Sequence, residues 1–386
     1  MYVTAYGFNS RDVASLLTLT SMSTKLMIAM EDSVIMIESS KTGWKKTYET
    51  LKGTRPQCIT FDPNNPNRAY CGTLSRGLWK TDDSGQSWDS IGKETISNSD
   101  VMSISVSNLE GGGKNSNKGF NTVYVGTEPT AFYRSDDGGE SWDKMSSLNN
   151  LKSSSSWSFP PRPWTSHVRW IESDKTKPGY VYAAIEAGAL VQSHDGGRTW
   201  IDRVQGGQGG PYDTHTLATH KKMPGRLYSA AGDGYFESYD YGQSWKRSVE
   251  GLGDHDYLFS LAVDSDDPET VIVSASQWPS KAYYVEDAES LIYRRTSSSP
   301  VKDTEDNNIN DKEEWKLVSN GLPKPTGMLI SVLAANPRIA GAFYAANNRG
   351  IFYSTDSGIS WKMLDDIQWP KKYLSEHPWA LAVRED

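Results

Sequence analysis

The sequence predicts an all-β repeat protein of seven similar units, closed end to end. Three observations carry that expectation. One eight-residue pattern returns five times, a spaced series of tryptophans fills the gaps between the copies, and the two ends of the chain each supply part of one unit.

The copies read Thr81-Asp-Asp-Ser-Gly-Gln-Ser-Trp88, Ser135-Asp-Asp-Gly-Gly-Glu-Ser-Trp142, Ser193-His-Asp-Gly-Gly-Arg-Thr-Trp200, Ser238-Tyr-Asp-Tyr-Gly-Gln-Ser-Trp245 and Ser354-Thr-Asp-Ser-Gly-Ile-Ser-Trp361. Their common form is S/T-x-D-x-G-x-S/T-W, and such self-similarity marks a repeat architecture. A short apolar and aromatic run precedes each copy, as at 77–80, 131–134 and 350–353, and another strand-like stretch follows. In the turn between, Ser/Thr and Asp side chains accept hydrogen bonds from backbone N–H groups, and Gly supplies positive φ at little steric cost. The closing Trp begins the next strand, with an indole large enough to fill the gap between neighbouring sheets. Asp83, Asp137, Asp195, Asp240 and Asp356 are therefore read as turn residues that take no part in chemistry.

These motifs resemble the Asp-box, or bacterial neuraminidase repeat. The resemblance implies a β-propeller in which each box joins the third and fourth strands of a four-stranded blade. Trp44 follows a degenerate box at 38–43, and Trp315 follows a box interrupted by a polar insertion. The series Trp44, Trp88, Trp142, Trp200, Trp245, Trp315, Trp361 then counts seven blades, all in one domain over 1–386. The expected blades are 24–49 with 376–386, 55–90, 100–145, 164–204, 212–249, 255–318 and 327–364. The first has only three strands of its own, near 25–29, 33–38 and 44–48, and its innermost strand is expected at 378–383. That arrangement leaves no unpaired blade edge. Strand pairs such as 58–61 with 68–73, and 258–263 with 270–275, open the other units across turn-rich Asp-Pro and Asp-Asp-Pro links.

Composition bounds the function classes. Fourteen Trp and 20 Tyr in 386 residues suit all-β packing, and a net charge of −8 argues against non-specific nucleic-acid binding. No apolar run approaches the length of a membrane-spanning helix; the stretch 16–19 is too short and too polar. The N-terminal residues lack the basic start and apolar core of a secretory signal, so the expectation is a soluble, cytoplasmic protein with no membrane or nucleic-acid partner. Cys58 and Cys71, the two cysteines, fall on paired strands and are read as packing residues rather than a disulfide or metal ligands. Segments 111–119 and 296–313 are polar insertions expected to be mobile.

Strand polarity would place the boxes on one face of the propeller. The beginnings of the inner strands and the second-to-third-strand turns would lie on the other, around the central funnel. The candidate acid/base groups there are Glu186, Asp213, His215, Asp233, His255 and Asp256. Candidate ligand-binding residues are Arg55, Arg76, Glu128, Trp164, His167, Arg169, Tyr212, Tyr257, Gln277, Asn348, Arg349, His377 and Trp379. His167, His215 and His255 begin successive inner strands and are expected to converge on the channel axis. The longer loops 146–162, 205–210 and 278–289 share this face, where function is normally carried.

Carboxylates, imidazoles and guanidinium groups in one funnel offer acid/base groups and an anion clamp. The expected function is binding of a small polar or glycan-like ligand in the funnel, with hydrolysis or elimination as the chemistry these groups perform. The alternative is a non-catalytic scaffold that binds a protein or serves in assembly. A ligand site needs a concave, aromatic-walled pocket, whereas a scaffold needs a broader patch. No metal spacing such as paired histidines on one element occurs, so no cofactor is expected, with a histidine-bound divalent metal in the funnel as the less favoured alternative. Sialidases of this repeat class share an Arg-Ile-Pro motif, and Arg338-Ile-Ala340 stands here instead, so the resemblance does not imply sialidase activity. Xyloglucan hydrolases of the class pair two propellers, against the one counted here. Photosystem II stability and assembly factors match in blade number. The resemblance thus implies the fold and leaves glycosyl-hydrolase-like and assembly-factor-like roles open.

Overall fold

A computed structural model describes residues 23–96, 100–110, 120–205, 207–296 and 314–386. The stretch 16–19, the segment 111–119 and nearly all of 296–313 lie outside the described residues. The described chain forms seven four-stranded antiparallel sheets arranged as a β-propeller. Among the described residues helix is confined to a five-residue α-helix, Pro279–Tyr283, and to 3-10 turns at Ser146–Asn150, Lys152–Ser156 and Lys371–Ser375. Among the described residues no helix is long and apolar enough to cross a membrane.

The expected closure is present. Ala380–Glu385 is the innermost strand of blade 1 and pairs antiparallel with Thr24–Ala29, from Thr24↔Glu385 to Ala29↔Ala380. Thr24 Oγ1 donates to Glu385 Oε2 at 2.6 Å inside the seam. The same strand is tied to both neighbouring blades: Asn336 of blade 7 donates to Glu385 at 2.9 Å, and Arg384 donates to the Asp62 carbonyl of blade 2 at 2.6 Å.

No single deep core exists. The buried apolar residues fall into seven clusters, one at each blade–blade contact. The series of tryptophans explains how those contacts fill. Each indole reaches back onto the preceding blade: Trp200 meets Phe132 edge-on at 4.8 Å, Trp315 meets Tyr235 at 4.8 Å, and Trp44 meets Tyr344 at 6.0 Å. Cys58 and Cys71 are unbridged and pack in two adjacent clusters.

All five repeated turns share one set of hydrogen bonds. In blade 4, Ser193 Oγ donates to Asp195 Oδ1 at 2.8 Å and accepts the Gly197 N–H at 2.7 Å. Asp195 Oδ1 also accepts the Thr199 N–H at 2.8 Å, and Oδ2 accepts the Thr199 hydroxyl at 2.7 Å. The turns around Asp83, Asp137, Asp240 and Asp356 repeat this pattern. Gly197 at φ 90° and its equivalents need the left-handed region, which a side chain would strain. These turns join third to fourth strands. The second-to-third-strand turns and the beginnings of the inner strands therefore share the opposite end.

Candidate functional site

The inner strands of blades 2 to 6 each carry a β-bulge near their first turn of pairing. Register skips one residue in each: Gln57, Met102, Arg169, His215 and Phe259. Bulges re-aim side chains and concentrate beside functional sites. Four of the five bulged residues, all but His215, line a channel cavity of about 80 Å³ together with Trp170, Thr216 and Trp379. His215 packs beside that ring, meeting Tyr257 at 5.2 Å and the lining residue Phe259 at 5.8 Å.

A polar cluster is built around Glu186. This residue follows the second strand of blade 4, Val181–Ile185, in a turn whose next residue, Ala187, sits at φ 48°. A non-glycine residue in that region is strained, and such strain collects at functional sites. The turn is fixed to blade 5, because Asp213 Oδ1 accepts the Ala187 N–H at 3.1 Å. Glu186 Oε2 contacts His167 Nε2 directly and lies 3.6 Å from Arg169 Nε. Glu186 Oε1 lies 3.6 Å from His215 Nε2, and Asp213 Oδ2 is also 3.6 Å from that nitrogen. Among the described residues, Glu186, Asp213 and His215 form the one group of metal-ligand type, with one ligand atom from each within 4.8 Å of the others.

Behind the cluster stands a second layer. Arg162 grips Glu128 with two parallel bonds, Nε to Oε1 at 2.9 Å and Nη2 to Oε2 at 2.6 Å. Glu128 Oε2 then lies 3.3 Å from His167 Nδ1, so His167 bridges two carboxylates. His215 is 1% exposed and directs Nδ1 at the Leu258 carbonyl, 2.6 Å away. A carbonyl accepts only, so Nδ1 carries a hydrogen and Nε2 is the nitrogen left for the cluster.

The charges respond to this packing. Burial pushes the Glu186 carboxyl up, but the contacts with His167 and His215 and the charge of Arg169 outweigh it and hold Glu186 well below the usual range. Burial raises Asp213, only partly offset by His215. Burial alone would lower both imidazoles, yet the carboxylates raise His167 and His215 above the ordinary histidine value. Glu128 is drawn down to about 2, because the bonds of His167 and Arg162 outweigh burial.

The structure thus brings together Glu128, His167, Arg169, Glu186, Asp213, His215 and Tyr257 from the expected set. Other members stand elsewhere. His255 meets Asp254 at 2.9 Å and packs on Tyr293, away from Glu186. The register explains this: His255 lies four residues before the bulged Phe259, level with Pro211 rather than with His215. His167 and His215 therefore meet at Glu186, and His255 does not. Asp256 forms an exposed pair with Arg247 at 2.7 Å. Asp233 accepts the N–H groups of Tyr212 and Asp213 at 3.1 and 3.2 Å, which positions that segment.

Asn348 is engaged in the fold: it donates to the Gly327 and Leu374 carbonyls and accepts the Leu329 N–H at 2.9 Å. Arg349 donates to the Thr326 carbonyl at 3.3 Å, Gln277 bonds Asp254, and Arg55 and Arg76 are exposed. His377 is buried among Phe259, Tyr283 and Trp379, and burial drops its pKa to about 3. Trp164 and Tyr212 are exposed, at 79% and 36%, and Tyr212 directly precedes Asp213. Sequence reasoning missed Arg162, Phe259 and Tyr283. A bulge leaves no sequence signature, and Arg162 acts from 34 residues beyond its partner.

No family model matches the chain. It is 26% identical over 265 residues to the xyloglucanase Xgh74A of Acetivibrio thermocellus, a match covering 58% of this chain and 30% of that protein. The chain is thus matched to less than a third of its curated relative's length. Among solved structures it is similar to an ancestral GH74 enzyme, with a TM-score of 0.54, 17% identity, and coverage of 77% of this chain and 36% of that one. It is similar also to YCF48 bound to a D1 peptide, at a TM-score of 0.50, 18% identity and coverage of 81% and 83%. YCF48 from Cyanidioschyzon merolae gives 0.53, 14%, and 80% and 85%. At these identities the structural likeness shows the fold.

Proposed function

We propose that the funnel mouth binds a hydroxyl-rich, glycan-like ligand, with Glu186 and Asp213 as the carboxylates that act on it. The observation that carries this reading is the convergence of Glu186, Asp213 and His215 to within 4.8 Å at a partly open end of the channel. Carboxylates at such spacing are of the order of the separation used in retaining glycoside hydrolysis, about 5–5.5 Å. Exposed aromatic faces accompany them on loops of the same end: Trp164, Tyr212, Trp278 and Tyr284 are 79%, 36%, 50% and 63% exposed. Flat apolar rings beside a few convergent polar groups suit a ligand with both C–H faces and hydroxyls. The xyloglucanase relative makes xyloglucan oligosaccharides the first ligands to try.

A second reading, a scaffold for a protein segment, draws support from the similar extent of the D1-peptide-bound YCF48 structure, of which 83% is covered. Calorimetric titration with neutral and acidic oligosaccharides, alongside product analysis, separates the two. Binding that Glu186→Gln and Trp164→Ala each weaken, in folded protein, supports the glycan reading. Absence of binding to every oligosaccharide class would sink it and leave the scaffold.

A further inference from the structure

The geometry points to a divalent-cation site whose ligands are Glu186 Oε1, Asp213 Oδ2 and His215 Nε2. Four features of the cluster carry it. First, the spacing fits. His215 Nε2 is 3.6 Å from Glu186 Oε1 and from Asp213 Oδ2, and one ligand atom from each of the three residues lies within 4.8 Å of the others. Ligand atoms about 2.0–2.2 Å from a shared cation stand roughly 3–3.6 Å apart. The same 3.6 Å is too long for a hydrogen bond, so His215 Nε2 satisfies neither carboxylate oxygen directly.

Second, His215 is arranged as metal-ligating histidines are. Its Nδ1–H is committed to the Leu258 carbonyl at 2.6 Å, which fixes the ring and presents the Nε2 lone pair. The side chain is 1% exposed, and the hydroxyl of its neighbour Tyr257 is paired with that of Tyr283 at 3.1 Å.

Third, the outer carboxylate oxygens have donors of their own. Asp213 Oδ1 accepts the Ala187 N–H at 3.1 Å. Glu186 Oε2 is held by His167, with Arg169 Nε 3.6 Å away. Each carboxylate is thus anchored by one oxygen and offers the other. His167 and Arg169 sit on the anchored oxygen, and a cation at the other two oxygens would displace the Nε2 proton of His215 and take the neutral ring as its third ligand.

Fourth, the site is open on one side. The Glu186 and Asp213 side chains remain 14% and 27% exposed, which leaves positions toward the funnel for water or a ligand hydroxyl. Three protein ligands plus an open position describe a site that does chemistry rather than a closed structural one. The donor set of two oxygens and one imidazole nitrogen selects a first-row cation such as manganese or zinc over calcium or magnesium, which prefer all-oxygen shells.

This inference gives the two carboxylates of the glycan reading a different duty, and its test contains no glycan, so the two readings fail separately. The full chain is stripped with a chelator, exchanged into chelator-free buffer, and titrated calorimetrically with manganese, zinc or calcium chloride alone. The expected result is one saturable manganese or zinc site per chain, preferred over calcium. Glu186→Gln and Asp213→Asn should each weaken it by more than the roughly 10–100-fold that loss of an outer-shell partner costs. His194→Ala, an exposed histidine in a repeated turn on the other end, should bind as wild type does. Circular dichroism reports whether each variant is folded. Should either ligand variant misfold, the visible spectrum of cobalt(II) bound to wild type reads the nitrogen–oxygen coordination without any substitution. No saturable binding, a calcium preference, a sulfur-type cobalt spectrum, or binding untouched by both ligand substitutions would each overturn the site.

Discussion

His215 donates its Nδ1–H to the Leu258 carbonyl at 2.6 Å, so an inner strand of blade 5 is oriented by the backbone of blade 6. Thr216 makes the matching bond one residue on, to the Phe259 carbonyl at 2.9 Å. The tie separates the two duties of the imidazole, since one nitrogen holds the blades together and the other faces Glu186 and Asp213. His215→Phe should leave the Leu258 carbonyl buried without a donor and cost about 1–3 kcal/mol. His215→Asn, whose amide stands near the place of Nδ1, should recover most of that loss. Neither variant should bind a funnel ligand. Urea unfolding checks the stability order, and titration checks binding; an Asn variant that binds as wild type does would show that Nε2 has no role.

Gly232 tests the position of Asp213. Its N–H donates to the Asp213 carbonyl at 2.8 Å, and a Cβ built there would fall on the Asp213 carboxylate. Its backbone is not in the left-handed region, so the effect of Gly232→Ala is steric rather than torsional. The added methyl should push the carboxylate off the cluster while Asp233 still holds the Tyr212 and Asp213 amides. The expected outcome is weakened funnel binding with thermal stability close to wild type. Unchanged binding would mean that Asp213 is dispensable.

How much of this was legible in the sequence depended on the physics of each feature. Box turns are local, so Asp195 and its four equivalents could be read from eight consecutive residues. Trp44 and Trp315 were legible because an indole that must fill a blade gap recurs even where its box has degenerated. The closing strand was legible because a three-stranded unit at one end and a lone apolar run at the other fit each other. The bulges were not. One extra residue shifts the face of every residue beyond it without altering the apolar pattern, so His255 read as the counterpart of His215, although the bulged residue of blade 6 is Phe259. Arg162 was invisible for a different reason: its contact with Glu128 depends on the path of a loop that carries no periodicity.

The repeated turns predict how the fold responds to acid. Slight burial would raise the carboxyls of Asp83, Asp137, Asp195, Asp240 and Asp356, but hydrogen bonds from the hydroxyl and amide four residues on outweigh it and hold each below the ordinary value. A folded pKa below the unfolded value of about 3.9 gives stability that is fully present above that pH and lost as pH falls through the folded pKa. Stability should therefore drop steeply below about pH 4. Asp195→Ala should cost roughly 1–2 kcal/mol at neutral pH, flatten the acid slope, and leave funnel binding intact. Urea unfolding at a series of pH values provides the measurement. An unchanged acid slope would remove Asp195 from the account.

Glu237 offers the sharpest test of what holds the lower end of blades 5 and 6 together. It is 1% exposed and receives the Tyr235 hydroxyl at 2.6 Å, the Tyr239 hydroxyl at 2.9 Å, Arg226 Nη2 at 3.0 Å and the Arg295 guanidinium. Arg226 and Arg295 are themselves 1% and 2% exposed. Burial alone would raise the Glu237 carboxyl, yet the two arginines hold it below its ordinary value, so it is ionised in the folded state. Removing it leaves two buried guanidinium groups with their shared anion gone, and breaking a buried pair of this kind costs about 3–5 kcal/mol. Glu237→Ala should therefore destabilise by that amount. Asp256→Ala, which breaks the exposed pair with Arg247, should cost less than about 1 kcal/mol. The cluster is far along the blade from the funnel, so ligand binding by whatever Glu237→Ala protein remains folded should match wild type. Equal losses for the two variants in urea unfolding would show that burial does not govern the strength of these pairs.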